Sequence, residues 1–293
     1  MDKKNYCLVL FLICFSSFSQ NSLEIYKPVA FPKDYSSKLN TVYTKEGDWE
    51  GKVDLYINAN LAIPTPIIIN IHGGGWKKGV KESQTGFNAF FEAGFAVANM
   101  EYRLSSQATA PAAIEDTRCM LIYLINHASE LNIDPKKIVI MGGSAGGHLA
   151  LMGGLLENDH RFDTKCMTQE KIKVAAIIDK YGISDLYDWS YGKLKSKSAL
   201  EWLGTKASDY EFIESVSPIN YITKNSPPTF IVHGDADPTV PYQQSVNLYN
   251  KLQKNMVESE FITVKNGLHG KFDKEKNKEL NIAIIKFLSK YIN

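Results

Sequence analysis

Short apolar runs alternate with longer, periodically apolar stretches along most of this chain. Pro66 to Ile71, Phe95 to Met100, Ile138 to Met141, Val174 to Ile178, Pro227 to Val232 and Phe261 to Val264 are brief and largely apolar. Runs of that length predict strands buried on both faces, as in a parallel sheet. Helical stretches lie between them. Pro111 opens one that runs to about Ala128, with Ile114, Met120, Leu121, Leu124 and Ile125 on its apolar stripe. Gly147 to Leu156 is a small-residue helix, Tyr242 to Lys254 is another, and an amphipathic helix closes the chain. Strand and helix in turn predict an α/β fold with a mostly parallel central sheet and helices on both faces.

The margins of this pattern differ. Leu39 to Thr44 and Gly51 to Ile57 read as an antiparallel hairpin at one sheet edge. Asp134-Pro135 marks a turn before the next strand. Residues 182–226 are less periodic and rich in aromatics (Tyr187, Trp189, Tyr191, Trp202, Tyr210), with a basic run at Lys193, Lys195 and Lys197. They are expected to form a small insertion or cap over the functional site.

The chain begins differently again. Lys3 and Lys4 precede a continuous apolar run from Cys7 to Phe15, which is too short to span a bilayer as a helix. Small residues follow from Ser16 to Ser19. This is the pattern of an export signal, with cleavage expected near Ser19/Gln20 and a secreted or periplasmic product. Cys14 suggests a lipoprotein anchor, but Ile13 is bulky where a small residue is wanted. Residues 20–37, with Pro28 and Pro32, read as an extended leader, and residues 38–293 as one catalytic domain.

Composition narrows the function classes. The formal net charge is +1, and loss of residues 1–19 removes two lysines and one aspartate and leaves the charges balanced. A neutral chain gives no reason to expect nucleic acid or an anionic membrane as a partner. No second stretch is long and apolar enough to cross a membrane. Of four cysteines, Cys7 and Cys14 leave with the signal. Cys119 and Cys166 can pair in an oxidising compartment. The apolar helical setting of Cys119 favours a buried free thiol instead.

The candidate chemistry centres on Gly142-Gly-Ser-Ala-Gly146, a G-x-S-x-G pattern between a strand and a helix. A sharp strand-to-helix turn strains the residue at its tip and exposes its side chain, which makes Ser144 the candidate nucleophile. A serine hydroxyl needs a base, the base needs an orienting acid, and the oxyanion needs fixed donors. His269 sits between glycines in a loop after a strand, in Asn266-Gly-Leu-His-Gly270, and is the candidate base. Asp235 and Asp237, both after the Pro227 to Val232 strand, compete for the role of the acid. His72-Gly-Gly-Gly-Trp76 also follows a strand, and its successive glycines leave backbone N–H groups free to approach a ligand. His72 itself reads as an organiser of that loop. His148, four residues after Ser144 on a helix packed against the sheet, reads as structural.

Together these pieces resemble the serine esterases of the α/β-hydrolase superfamily, on the side of the hormone-sensitive-lipase-like group. They look most like bacterial acetyl-xylan and feruloyl esterases. The resemblance runs from about residue 38 to the end. It is carried by His72 to Trp76, Gly142 to His148 and His233-Gly-Asp-Ala-Asp-Pro-Thr-Val-Pro241. Glycine at 143, where many lipase-like relatives have aspartate, points the same way. The resemblance implies an α/β-hydrolase fold, a Ser144–His269–Asp237 triad, and oxyanion donors at Gly74, Gly75 and Ala145. With the export signal, it implies a secreted or periplasmic serine carboxylesterase that hydrolyses acetyl or feruloyl esters on plant polysaccharides or their oligosaccharides, with no cofactor and no metal. Other readings are a general small-ester carboxylesterase, an aryl formamidase-like amidase and, from another class, a catalytically silent binding protein.

Overall fold

The computed structural model describes residues 26–58, 61–191 and 196–292. The expected export signal, the first part of the leader, and Lys193 and Lys195 lie outside the described residues. In chain order the elements begin with β1 (Ser36–Glu46), β2 (Trp49–Ile57) and β3 (Thr65–Ile71). Next come α1 (Asn88–Glu92), β4 (Ala96–Met100), α2 (Ala112–Asn126), α3 (Ala128–Leu131), β5 (Ile133–Gly143) and α4 (Ala145–Leu155). They continue with β6 (Ala176–Lys180), α5 (Leu186–Tyr191), α6 (Lys197–Leu203), α7 (Tyr210–Ser215), β7 (Thr229–Gly234), α8 (Gln243–Lys254), β8 (Ser259–Val264) and α9 (Lys274–Leu288).

The strands form one eight-stranded sheet in the order β1-β2-β4-β3-β5-β6-β7-β8. β1 pairs with β2, and β2 with β4, antiparallel; the other pairings are parallel. The strand period of two sends neighbouring residues to opposite faces. In β3, Ile67, Ile69 and Ile71 join the core under α2, α4 and α8, whereas Ile68 joins the core under α1 and α9. Both cores are apolar, so burying each such isoleucine contributes about 2 kcal/mol. Double-sided burial explains why these strands read as near-continuous apolar runs.

Several boundaries differ from the sequence reading. β5 starts at Ile133 and runs through Asp134-Pro135, with an irregularity in its pairing to β3 between Thr65 and Ile67. That break accommodates a proline, which has no N–H for the ladder. α4 starts at Ala145, directly after the serine, and not at Gly147. β6 lies at Ala176–Lys180, two residues later than expected.

The free thiol expected at Cys119 is corrected: Cys119 is joined to Cys166 by a disulfide, with Cα atoms 5.2 Å apart. The cause lies one residue away. Arg118, fully buried on α2, binds both carboxylate oxygens of Asp163 at 2.7 and 2.8 Å. It also donates to the carbonyls of Gly153 and Glu157 at 3.1 and 2.9 Å. This planar, charge-assisted clamp draws the loop after α4 back across α2 and brings Cys166 over Cys119.

Candidate active site

The carboxyl ends of β3, β5, β6, β7 and β8 converge on one cleft of about 530 Å³. Ser144 stands at its floor between β5 and α4, with φ 57° and ψ −124°. A non-glycine residue is costly there and is held by its surroundings. Its N–H donates to the Lys180 carbonyl at 2.9 Å, tying the turn to β6. The helix behind the turn approaches β3 so closely that a side chain at Gly146 would strike the carbonyls of Ile71 and His72.

The structure brings Ser144, His269 and Asp237 into one hydrogen-bonded chain. Ser144 Oγ is 2.9 Å from His269 Nε2, and His269 Nδ1 is 2.6 Å from Asp237 Oδ2. Nδ1 faces a carboxylate and so donates; Nε2 is left to accept the serine proton. The edge of the Tyr181 ring packs on His269, with centroids 4.9 Å apart.

Asp237 is sealed from solvent. Burial alone would raise its carboxyl. Hydrogen bonds from His233, His269 and the Thr239 N–H outweigh that and hold it well below the usual carboxylate range. Its Oδ1 accepts from the N–H groups of Thr239 and Val240 at 2.7 and 3.0 Å. Asp235 does something else: its Oδ1 caps the Asn266 N–H at 2.5 Å and so braces the loop that carries His269. Of the two aspartates left in competition, Asp237 is the one that contacts His269.

Sequence reasoning missed His233. It is fully buried at the end of β7, and its Nε2 lies 3.2 Å from Asp237 Oδ2 and 3.1 Å from the Val240 carbonyl. Two acceptors on Nε2 require a hydrogen there, so Nδ1 accepts from the Ser245 hydroxyl at 2.7 Å. Its place at a strand end beside the two aspartates was the available signal.

Gly74 and Gly75 form the opposite wall, with φ +120° and +61°. Among the described residues, none accepts a hydrogen bond from either N–H. Ala145, the third expected donor, opens α4 directly after Ser144. His72 holds the glycine loop as expected: its Nδ1 is 2.8 Å from the Gly73 carbonyl, and its ring stacks on Tyr102. Burial pushes its imidazole down.

His148 is structural in this geometry. Its Nε2 donates to the Val216 carbonyl at 2.8 Å, and its ring abuts Trp76 and Trp202. Burial pushes it down to about 4. Trp189, Ser196 and Ser198 of the 182–226 stretch also line the cleft. Among the described residues, no group of His, Cys, Asp and Glu is arranged to hold a metal ion.

The sequence profile of the BD-FAE family matches residues 53–252. The chain belongs to the BD-FAE family. That segment contains Ser144 and Asp237 and stops short of His269. Among curated relatives, this BD-FAE chain is 32% identical to the probable carboxylic ester hydrolase LipM of Mycobacterium tuberculosis, over 76% of the chain and 53% of LipM. It is 28% identical to an acetyl esterase of Salmonella schwarzengrund, over 73% of the chain and 68% of that protein. The chain spans about half the length of the mycobacterial relatives it matches.

Among solved structures, a truncated carbohydrate esterase from gut microbiota superposes with a TM-score of 0.73 at 27% identity, covering 88% of this BD-FAE chain and 99% of its own. An esterase of Thermogutta terrifontis with propionate bound gives 0.70 at 26%, covering 88% and 93%. An acetyl ester-xyloside bifunctional hydrolase from Caldicellulosiruptor lactoaceticus gives 0.70 at 25%, covering 84% and 91%.

Proposed function

We propose that the chain is an exported serine carboxylesterase that removes acetyl or feruloyl groups from plant polysaccharides or their oligosaccharides. The observation that carries this reading is the hydrogen-bonded line from Ser144 through His269 to a buried, ionised Asp237, opening into the cleft. BD-FAE membership and the ester-hydrolase activities of the relatives support ester hydrolysis. The carbohydrate esterase and the xyloside hydrolase among the structural neighbours support an acylated sugar as substrate. The apolar run at Cys7 to Phe15 supports export.

The reaction is two-step acyl transfer. Ser144 Oγ attacks the ester carbonyl while His269 Nε2 takes its proton, and Asp237 stabilises the resulting imidazolium. The N–H groups of Gly74, Gly75 and Ala145 receive the oxyanion; each such donor is worth about 3 kcal/mol of barrier. His269 then protonates the leaving alcohol. Water, activated by the same imidazole, attacks the acyl-enzyme and releases the acid.

The test is turnover of a panel: p-nitrophenyl acetate, butyrate and octanoate, methyl ferulate and acetylated xylan. Acetate or ferulate released by the wild type but not by Ser144→Ala is the expected result. Turnover of the aryl esters alone withdraws the polysaccharide, and activity surviving in Ser144→Ala removes the nucleophile. Sequencing the mature N-terminus after expression tests cleavage near Ser19/Gln20.

A further inference from the structure

Lys180 is out of keeping with its place in the fold. It ends β6, in the row Ala176, Ile178, Lys180 on one face of the strand. The first two positions are buried in the core under α1 and α9. The third is a lysine that lines the catalytic cleft, one strand away from the nucleophile turn and paired in register with Gly143.

Among the described residues none pairs with the Lys180 ammonium or hydrogen-bonds to it. Burial holds the ammonium below the ordinary lysine range, and no neighbouring carboxylate counteracts it. Contrast Lys81, whose ammonium is fully buried and bound by both Asp54 and Glu82. A half-buried cation without a counter-ion carries a desolvation cost, and a ligand that supplies the anion removes it.

The rest of the cleft has the matching character. Its described lining includes three lysines, Lys77, Lys78 and Lys180, and no acidic side chain. Lys77 is engaged with Glu201 at 2.9 Å. Asn70 and Gln84 add polar groups to the lining. In a chain whose overall charge is +1, this local excess is a feature of the site.

We propose that Lys180 is a carboxylate-binding subsite, and that the preferred substrates are esters carrying a carboxylate near the scissile bond. On the esterase reading above, on which this rests, the carboxylate belongs either to a uronate in the sugar or to a diacid in the acyl group. The shared chemistry is an anion placed against Lys180 while Ser144 faces the ester carbonyl.

Two pairs of esters matched except for charge separate these sources. Acetylated methyl glucuronide against acetylated methyl glucoside tests the alcohol side, and monoethyl succinate against ethyl butyrate tests the acyl side. In at least one pair, the charged member is expected to have a kcat/KM about tenfold or more higher, the size of one charge-assisted hydrogen bond. Lys180→Met should collapse that ratio, Lys180→Arg should keep most of it, and added NaCl should lower it in the wild type. Equal kcat/KM within both wild-type pairs, or a ratio that Lys180→Met leaves in place, overturns the proposal. Failure of both sugars with turnover of the ethyl pair removes the carbohydrate reading alone. If no ester is turned over, calorimetric binding of methyl glucuronide over methyl glucoside, lost in Lys180→Met, still decides the subsite, and equal binding overturns it.

Discussion

His233 and His269 share one acceptor: the Oδ2 of Asp237 lies 3.2 Å from His233 Nε2 and 2.6 Å from His269 Nδ1. One imidazole belongs to the reacting line, and the other stands behind it, fixed by Ser245 and closed to solvent. His233 thus helps to aim the carboxylate and keep it ionised. His233→Phe removes that donor at similar volume. A loss of roughly ten- to a hundredfold in kcat is expected, the range for a hydrogen bond to a charged group. Ser245→Ala should cost less, because His233 keeps the Val240 carbonyl as an acceptor. Steady-state kinetics with a thermal melt on each variant checks this; a variant that melts normally and turns over normally refutes it.

Asp237→Asn and Asp235→Asn should differ sharply. Asparagine at 237 faces His269 with a group that no longer selects the required tautomer, and losses of about 10⁴ in kcat are typical of that change. Asp235 braces the loop through the Asn266 N–H and touches no imidazole. Asp235→Asn should cost only a few-fold, and the opposite ranking would move the acid to Asp235.

Asp179 predicts a pH-dependent stability. It is fully buried beneath α4; its Oδ1 accepts from the Gly182 N–H at 3.0 Å, and its Oδ2 has no partner. Burial raises it to about 7. A raised carboxyl binds its proton more tightly in the folded state, so this contribution is present below the unfolded value of about 3.8. It is lost as pH rises towards about 7, at a cost of about 4 kcal/mol at most. Melting temperature should therefore fall over that window, and Asp179→Asn should flatten the fall. Asp237, with its carboxyl held low, acts oppositely: its contribution is lost only as pH drops below the ordinary aspartate range.

The Cys119–Cys166 disulfide links positions 47 residues apart and should stabilise the fold by about 2–4 kcal/mol. Reduction, or Cys119→Ala with Cys166→Ala, should lower the denaturant midpoint without changing turnover. The bond joins α2 to the loop after α4 and is absent from the cleft lining. An unchanged midpoint would show that the Arg118–Asp163 clamp holds the loop unaided.

Much of this was legible in one dimension. A strand buried on both faces must be apolar throughout, so the sheet announced itself at Ile67–Ile71 and Ile138–Met141. The strained turn at Ser144 was readable because only small flanking residues tolerate the helix's close approach. The loop setting of His269 was readable because glycines bracket it. Local chemistry dictates each of these features, and local chemistry is what a sequence lists.

Other features are relations between distant segments. Which aspartate meets His269 depends on the path of the turn after β7, a matter of two residues that composition does not distinguish. His233 is an ordinary strand-end histidine until the fold aims it at Asp237. Cys119 resembled a free thiol because its partner arrives on a loop steered by Arg118. Lys180 became unusual only once the sheet had set it at the cleft without a carboxylate beside it. The chain's own order of residues determined the layers, the strained serine and the glycine loop, since those follow from period and backbone sterics. The tertiary structure alone decided the hydrogen-bond partners and the charge of the cleft, because both depend on which groups packing brings within a few ångströms.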